Sequence, residues 1–220
     1  DILDISKIEA GRLQIDNHEF DLAAAVHAAC MPFASLADHN DVAFRIEIDE
    51  RARGVWFGDG ARLRQVLGNL ASNAVKFTAR GEVAVRVSRV EGGLRFTVRD
   101  TGPGIPESEQ GKLFQAYSQT SAASQTPAEI EEAASRRAEG TGLGLAISRE
   151  LVRLMGARDL TVSSRPGEGC EFSFELPFHV VRDNPTGIHY PGFRLVLLEP
   201  QPTLALILQD YAQSLGLDCR

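Results

Sequence analysis

Polar side chains follow one face of a predicted helix between residues 62 and 78. The apolar residues of this stretch recur at three- and four-residue spacing, which predicts a helix with one buried face. A second, polar stripe has the same spacing and consists of Gln65, Asn69, Asn73 and Lys76. Amide oxygens can complete the coordination shell of Mg²⁺, and a lysine one turn away adds positive charge for substrate phosphates. Alone, the stripe fits a nucleotide site and a solvated helix face equally well.

A glycine-rich turn follows an alternating run, residues 94–98, that predicts a strand. Asp100, Gly102 and Gly104 occupy alternate positions of this turn, and Ile105 comes next. A carboxylate at the end of a strand can accept hydrogen bonds from an amine, and glycines let the backbone approach a ligand closely. Taken alone, the pattern is better explained by an ordinary Asp-Gly turn.

A second run of alternate glycines, Gly140, Gly142 and Gly144, leads into an apolar-periodic helix predicted over residues 145–155. Free N–H groups at a helix start bind anions, and the missing side chains let phosphate oxygens come close. A glycine triplet of this kind is a weak signal by itself, so its meaning depends on the other two motifs.

In their order along the chain, the three motifs resemble the N, G1 and G2 boxes of the catalytic domain of sensor histidine kinases. Residues 113–119 resemble the F box that lies between the last two boxes. The resemblance covers roughly residues 1–178. It points to the hybrid type of these kinases, within the wider ATPase superfamily of gyrase, Hsp90 and MutL.

This resemblance implies an ATP site that uses Mg²⁺. Asn73 and Asn69 would hold the metal, and Lys76 and the backbone of the second glycine run would hold the phosphates. Asp100 would bind the adenine amine, and Phe114 would belong to the base of a lid. The catalytic residues implied are Asn69, Asn73 and Lys76. The nucleotide-binding residues implied are Asn69, Asn73, Lys76, Asp100, Gly102, Gly104, Ile105, Phe114, Gly140, Thr141, Gly142, Leu143, Gly144 and Leu145.

Composition and charge narrow the classes of function. The net charge of −7 at pH 7 argues against nucleic acid as the main partner, since phosphate backbones demand a basic surface. Cys30, Cys170 and Cys219 are widely separated, which predicts neither a disulfide framework nor a zinc site and fits a reducing cytosol. No apolar run reaches the roughly 18 to 20 residues of a membrane span. We therefore expect a cytoplasmic fragment without membrane contact, and the resemblance implies a full-length protein anchored in the inner membrane.

The periodicities predict one layer of helices on one sheet. Asp21 and Asp59 are predicted caps of two long helices, and residues 42–48 form a predicted strand between them. Two hairpins are predicted, one over residues 83–98 and one over residues 160–176. The expected fold class is α/β, a two-layer sandwich of helices on a mixed, mostly antiparallel sheet, as in the histidine kinase ATPase fold.

We expect four regions along the chain. Residues 1–16 would be the end of a dimerisation and phosphotransfer helix, and residues 17–178 the catalytic ATP-binding domain. Residues 179–192, rich in proline and glycine, would be a linker. Residues 193–220 resemble the truncated start of a receiver domain, which is degenerate because Glu199-Pro200 stands where receivers have paired acidic residues.

Residues 120–139 correspond by position to the family's ATP lid. They contain almost no large apolar side chain, so we expect them to be mobile unless a ligand orders them. Within them, Arg136 or Arg137 would either reach phosphate or form a solvated charge pair. Two departures from the family pattern are Glu139, where a glycine is common, and Ala157, in a connection that is one residue longer.

The resemblance implies transfer of the ATP γ-phosphoryl group to a histidine on an upstream helical hairpin absent from this chain. The only His-Glu pair, His18-Glu19, lies after the hairpin's expected end. Expected partners are that hairpin, a receiver or response-regulator domain, and a second copy of the full-length protein. One alternative is a nucleotide-sensing interaction module without kinase activity. A less favoured alternative is an ATP-hydrolysing clamp, whose relatives place a glutamate base at the position of Asn69.

Overall fold

The computed structural model describes residues 2–115, 142–183, 194–196, 205–209, 212 and 217–219. The predicted sites Gly140 and Thr141 and the expected lid, residues 120–139, lie outside the described residues. The elements in chain order are α1 (Ile2–Glu9), β1 (His18–Asp21), α2 (Leu22–His39), β2 (Val42–Ile48), a 3₁₀ turn (Glu50–Ala52), β3 (Gly54–Gly58), α3 (Gly60–Phe77), β4 (Gly81–Val90), β5 (Gly93–Asp100), α4 (Glu107–Gln110), α5 (Gly144–Leu154), β6 (Thr161–Arg165), β7 (Gly169–Leu176), β8 (His179–Asp183), β9 (Arg194–Leu195) and β10 (Asp218–Cys219).

A five-stranded sheet in the order β2-β4-β5-β7-β6 is the framework of the fold. Strands β2 and β4 are parallel, and each of the other neighbouring pairs is antiparallel. The β4–β5 hairpin turns at Gly92, whose φ of +83° suits glycine and strains other residues. Because side chains alternate along a strand, the apolar set of each strand faces one side, where the helices cover it.

The helices α2, α3 and α5 form the second layer of the molecule. Leu63, Leu67 and Leu70 of α3 are fully buried, and burying one leucine side chain is worth about 1.5–3 kcal/mol. On the sheet, the rings of Phe96 and Phe174 are stacked with centroids 5.0 Å apart. This helices-on-sheet sandwich with a mixed, mostly antiparallel sheet confirms the fold class predicted from the sequence.

Both long helices begin at the aspartates that the sequence predicts as caps. A carboxylate oxygen of Asp21 accepts a hydrogen bond from the backbone N–H of Ala24, at 2.8 Å. Asp59 does the same for the N–H of Arg62, at 2.9 Å. Each bond satisfies one of the backbone donors that a helix start leaves unpaired, so these aspartates fix where α2 and α3 begin.

A second, three-stranded antiparallel sheet, β1-β3-β8, corrects the predicted linker boundary. The sequence prediction began the linker at His179, but residues 179–183 form β8 and pair with β3. The reason is packing: Phe178 is buried edge-on against Phe20, with centroids 5.6 Å apart, and lies so close to Gly58 that a Cβ there would collide with its ring. This anchor holds the following residues beside β3, where their backbone completes hydrogen bonds.

The two ends of the chain contain shorter described elements. Helix α1 is followed by Gly11, whose φ of +62° lies in the left-handed region that favours glycine at a helix end. Near the other end, β9 pairs in parallel with β10, and residues 205–209 between them are helical. Parallel strands require such a crossover connection. Among the described helices, none has both the length and the hydropathy to cross a bilayer.

Candidate functional site

Asn69 joins helix α3 to the start of α5. Its side-chain nitrogen donates to the backbone oxygen of Gly144 at 3.4 Å and to Oγ of Ser148 at 3.3 Å. Because the Gly144 carbonyl can only accept, the amide nitrogen must face α5, and the amide oxygen is left for another partner. The structure therefore brings the polar stripe of α3 and the second glycine run into contact.

The entry to α5 is shaped by glycine. Gly142 has a φ of +68°, which favours glycine, and Leu143 is buried. A Cβ added at Gly144 would lie 3.7 Å from Cγ of Asn69, so a side chain here would fill the space between the helix start and the polar stripe. Unpaired N–H groups of a helix start, with an amide beside them, provide donors for an anion.

Asn73 and Lys76 continue the stripe toward the end of α3. Both side chains are half-buried. The Lys76 ammonium lies 5.6 Å from the centroid of the Phe77 ring, which is 44% exposed. An amide oxygen, an ammonium and an exposed aromatic ring thus follow one another at the helix end that faces the Asp100 turn.

Gln65 has a different role from the rest of the polar stripe. Its side-chain nitrogen donates to Asp4 of α1 at 2.7 Å, and its oxygen accepts from Arg62 at 2.7 Å. The hydrogen bond from Gln65 is the largest cause that holds the pKa of the Asp4 carboxyl below its usual value, and the Arg62 charge acts in the same direction. Gln65 therefore docks α1 onto α3, whereas Asn69, one turn further on, bonds to α5.

Asp100 is almost completely buried at the end of β5. One of its carboxylate oxygens accepts from the N–H of Gly102 at 2.9 Å. Burial raises the pKa of Asp100, and hydrogen bonds from the backbone of Gly102 and Cys170 act against that rise. A Cβ at Gly102 would lie 2.9 Å from the backbone oxygen of Phe77, so glycine lets the turn approach the end of α3.

Thr78, which follows α3, is a residue that the sequence prediction missed. Its side chain is 2% exposed, and its hydroxyl oxygen has no hydrogen-bond partner among the described residues. A buried hydroxyl without a partner costs about 1–3 kcal/mol, and a ligand with donor and acceptor atoms would recover that cost. Together with the buried carboxylate of Asp100, it fits a ligand such as a purine with an exocyclic amine.

Phe114 contacts side chains of both α5 and β7. Its ring meets the Phe172 ring edge-on at 6.5 Å between centroids, and the Arg149 guanidinium lies 4.8 Å from its centroid. Asp159 fixes that guanidinium with two hydrogen bonds of 2.8 and 2.7 Å, and these bonds hold the pKa of the Asp159 carboxyl well below its usual range. These contacts hold Phe114 in place, one residue before the described part of this segment ends at residue 115.

The described residues contain no group of three or more His, Cys, Asp or Glu side chains that could bind a metal ion by themselves. A metal here would need amide oxygens together with oxygens of a bound substrate. Such a donor set suits Mg²⁺, which keeps several waters and is commonly shared between a protein and phosphates. The amide oxygens of Asn69 and Asn73 fit that requirement.

Comparison with known proteins agrees with this class of site, a nucleotide-binding α/β sandwich. The chain belongs to the family of histidine kinase-, DNA gyrase B- and HSP90-like ATPases, whose family profile matches residues 58–180. This confirms the recognition made from the three motifs.

Several relatives are sensor proteins. The chain is 38% identical over 186 residues to the sensory/regulatory protein RpfC of Xanthomonas campestris, which covers 82% of this chain and 24% of that protein. It is 35% identical over 237 residues to the sensor histidine kinase GacS of Pseudomonas protegens, covering 99% of this chain and 23% of the relative. It is 33% identical over 223 residues to the sensor protein ArcB of Escherichia coli, covering 98% and 27%. The chain therefore spans about a quarter of the length of these relatives.

Solved structures with the same fold include histidine kinases. Full-length ShkA in complex with AMPPNP superimposes with a TM-score of 0.70 at 26% identity, covering 99% of this chain and 43% of ShkA. The catalytic domain of the histidine kinase ThkA superimposes with a TM-score of 0.60 at 26% identity, covering 74% of this chain and 95% of that domain. The chain accordingly shares the fold of histidine kinase catalytic domains, which agrees with its family of nucleotide-binding ATPases.

Proposed function

We propose that this chain binds Mg-ATP and transfers the γ-phosphoryl group to a histidine on a dimerisation hairpin of the full-length protein. The observation that carries the proposal is the contact of Asn69 with Gly144 and Ser148, which places the polar stripe of α3 against the glycine-bordered start of α5. Phosphoryl transfer asks a protein mainly to position its reactants and to neutralise charge.

Each part of the site has a task in this proposal. Asn73 and Asn69 would hold Mg²⁺ through their amide oxygens, and the metal would neutralise phosphate charge. Lys76 and the N–H groups at residues 142 and 144 would bind phosphate oxygens. At the other end, Asp100 would accept a hydrogen bond from the adenine amine. The remaining predicted residues, Gly102, Gly104, Ile105, Phe114, Gly140, Thr141, Leu143 and Leu145, would line or shape the nucleotide site.

We also propose the division of the chain and its partners. Residues 1–16 would end the hairpin helix, 17–178 would be the catalytic domain, and 193–220 would begin a receiver-like domain. The linker between the last two would follow β8. The partners would be the hairpin, a receiver or response-regulator domain and a second copy of the full-length protein, in the cytoplasm beside an inner-membrane anchor elsewhere in that protein.

Asn69 argues against the ATP-hydrolysing clamp. A hydrolase needs a base at this position to take a proton from water, and a neutral amide cannot accept one. The amide nitrogen of Asn69 is moreover committed to α5. The other alternative, a nucleotide-sensing module, shares the binding site with the kinase and differs only in transfer.

The function is tested with γ-labelled ATP, Mg²⁺ and the dimerisation hairpin supplied in trans. The chain alone should stay unlabelled, and added hairpin should acquire acid-labile phosphohistidine. The Asn73→Ala chain, as the control, should leave the hairpin unlabelled. Nucleotide binding without any label on the hairpin would favour the sensing module instead, and steady release of inorganic phosphate would favour the clamp.

A further inference from the structure

The β6–β7 hairpin packs its turn against the Asp100 turn. The backbone N–H of Gly167, at the tip of the hairpin, donates to the backbone oxygen of Pro103 at 2.7 Å. A Cβ at Gly104 would collide with the backbone oxygen of Arg165. The two turns are therefore in direct backbone contact, and small shifts of one must move the other.

The hydroxyl of Ser164 bridges these two turns. It accepts a hydrogen bond from the N–H of Ile105 at 2.8 Å and donates one to the backbone oxygen of Gly169 at 2.6 Å. One side chain thus satisfies a donor on the Asp100 turn and an acceptor on the hairpin. Its direct neighbour, Ser163, is exposed and points to the other face of the strand.

Gln110 of helix α4 ties the same turns together from a third element. Its side-chain nitrogen donates to the backbone oxygens of Ile105 and Ser164, each at 2.9 Å. Both amide hydrogens are thereby used, which fixes the side chain in one orientation. With Ser164, it holds Ile105 by both its N–H and its carbonyl.

The Asp100 carboxylate is the group that this network positions. Asp100 pairs with Cys170 across the sheet, and the Cys170 backbone contributes a hydrogen bond to the carboxylate. The preceding residue of β7, Gly169, approaches the backbone oxygen of Asp100 so closely that a Cβ would collide with it. Ser164 bonds to Gly169 on one side and to Ile105 on the other, so it restrains the turn of Asp100 from both ends.

We propose that Ser164 and Gln110 are positioning residues that set the preference of this site for adenine over guanine. The proposal rests on the proposed function, in which Asp100 accepts a hydrogen bond from the 6-amino group of adenine. Guanine presents an oxygen at that position, so two acceptors would face each other across a buried contact. When the Asp100 carboxylate is held in place, the two acceptors cannot avoid each other and guanine binds poorly. When the Asp100 turn is less restrained, the carboxylate can move away or a water molecule can enter between the two acceptors.

The test is calorimetric titration of this chain with ADP and with GDP, compared as a ratio of dissociation constants. Ser164→Ala and Gln110→Leu should each lower the ADP preference about fivefold or more, as loss of a hydrogen bond of ordinary strength would. Ser164→Thr, which keeps the hydroxyl, should restore the wild-type ratio. Ser163→Ala is the matched control and should leave the ratio unchanged.

Equal losses of ADP and GDP affinity in both variants would overturn the proposal, because a merely structural role weakens both nucleotides alike. Thermal unfolding of each variant identifies any that do not fold, and either folded variant decides the question. If the wild-type chain binds neither nucleotide, the proposed function fails. If the wild type prefers ADP and both variants keep that preference, only this inference fails.

Discussion

The buried carboxylate of Asp100 destabilises the fold but is suited to binding an amine. Its carboxyl is nearly excluded from solvent, and burial is the largest cause of its raised pKa. The ionised form therefore pays a desolvation cost that two backbone N–H groups only partly offset. A desolvated carboxylate is a strong acceptor for an amine, so the feature that weakens the fold suits the site.

We predict that Asp100→Asn stabilises the nucleotide-free chain at pH 7. The pKa of Asp100 in the folded chain lies above the usual value of 3.8. Preferential protonation of the folded state therefore stabilises the fold, and this contribution is complete only below pH 3.8. It is lost as the pH rises through the raised folded pKa. Thermal unfolding should therefore give a higher Tm for the variant at pH 7, with the difference shrinking toward acid pH. A lower Tm for the variant at pH 7 would contradict this interpretation.

The sequence identifies those site residues that belong to an unusual pattern of residue types and spacings. Asn69 and Asp100 stand out because an amide stripe on a helix and a carboxylate before alternate glycines are unusual patterns. Thr78 and Ser164 did not stand out, because the role of a hydroxyl depends on the groups that surround it in the folded structure. Their neighbours come from other strands and turns, and sequence spacing does not reveal those contacts.

At the scale of elements, the start of α3 depends on Asp59. The side chain is buried, and its two oxygens accept from different segments: one from Arg62 in the first turn of α3 and one from the N–H of Asp16, at 2.9 Å each. The cap thus also fixes the segment that follows α1. Asp21 caps α2 with an exposed bond, and within the described part of the chain its side chain accepts no bond from a second segment.

This difference predicts unequal costs for the two caps. Asp59→Ala should lower the free energy of unfolding by about 2 kcal/mol, since a cap is worth about 1 kcal/mol and the hydrogen bond from the N–H of Asp16 is worth a similar amount. Asp21→Ala, the matched control, should cost about 1 kcal/mol. Urea unfolding at constant m-value measures both. Equal losses would show that the bond to Asp16 adds nothing.

Strand β8 shows why element boundaries are harder to predict than elements. Helix α3 and strand β2 carry clear periods of their own, and the structure reproduces them. The five residues of β8 carry little pattern and follow a proline, so they resemble a linker. Their strand conformation comes from β3 and from the burial of Phe178 beside Gly58, which are tertiary effects.

Across the whole molecule, α3 connects two regions. Its first half contacts α1 through Gln65, Arg62 and Asp4, and its second half carries Asn69 and Asn73. The polar stripe on one helix therefore serves packing in its first turns and the candidate site further on. The sequence predicted a single stripe because periodicity places residues on a face without saying what covers each turn.

We propose that the stripe of α3 holds metal and phosphate while Asp100 holds the base. Calorimetric titration of Asn73→Ala and Asp100→Asn with Mg-ATP and with metal-free ADP tests it most directly. Asn73→Ala should weaken Mg-ATP binding about tenfold or more, with little change for metal-free ADP. Asp100→Asn should weaken both nucleotides by similar factors, because it changes only the contact with the base. An Asn73→Ala variant that keeps the full metal dependence of the wild type would contradict the account.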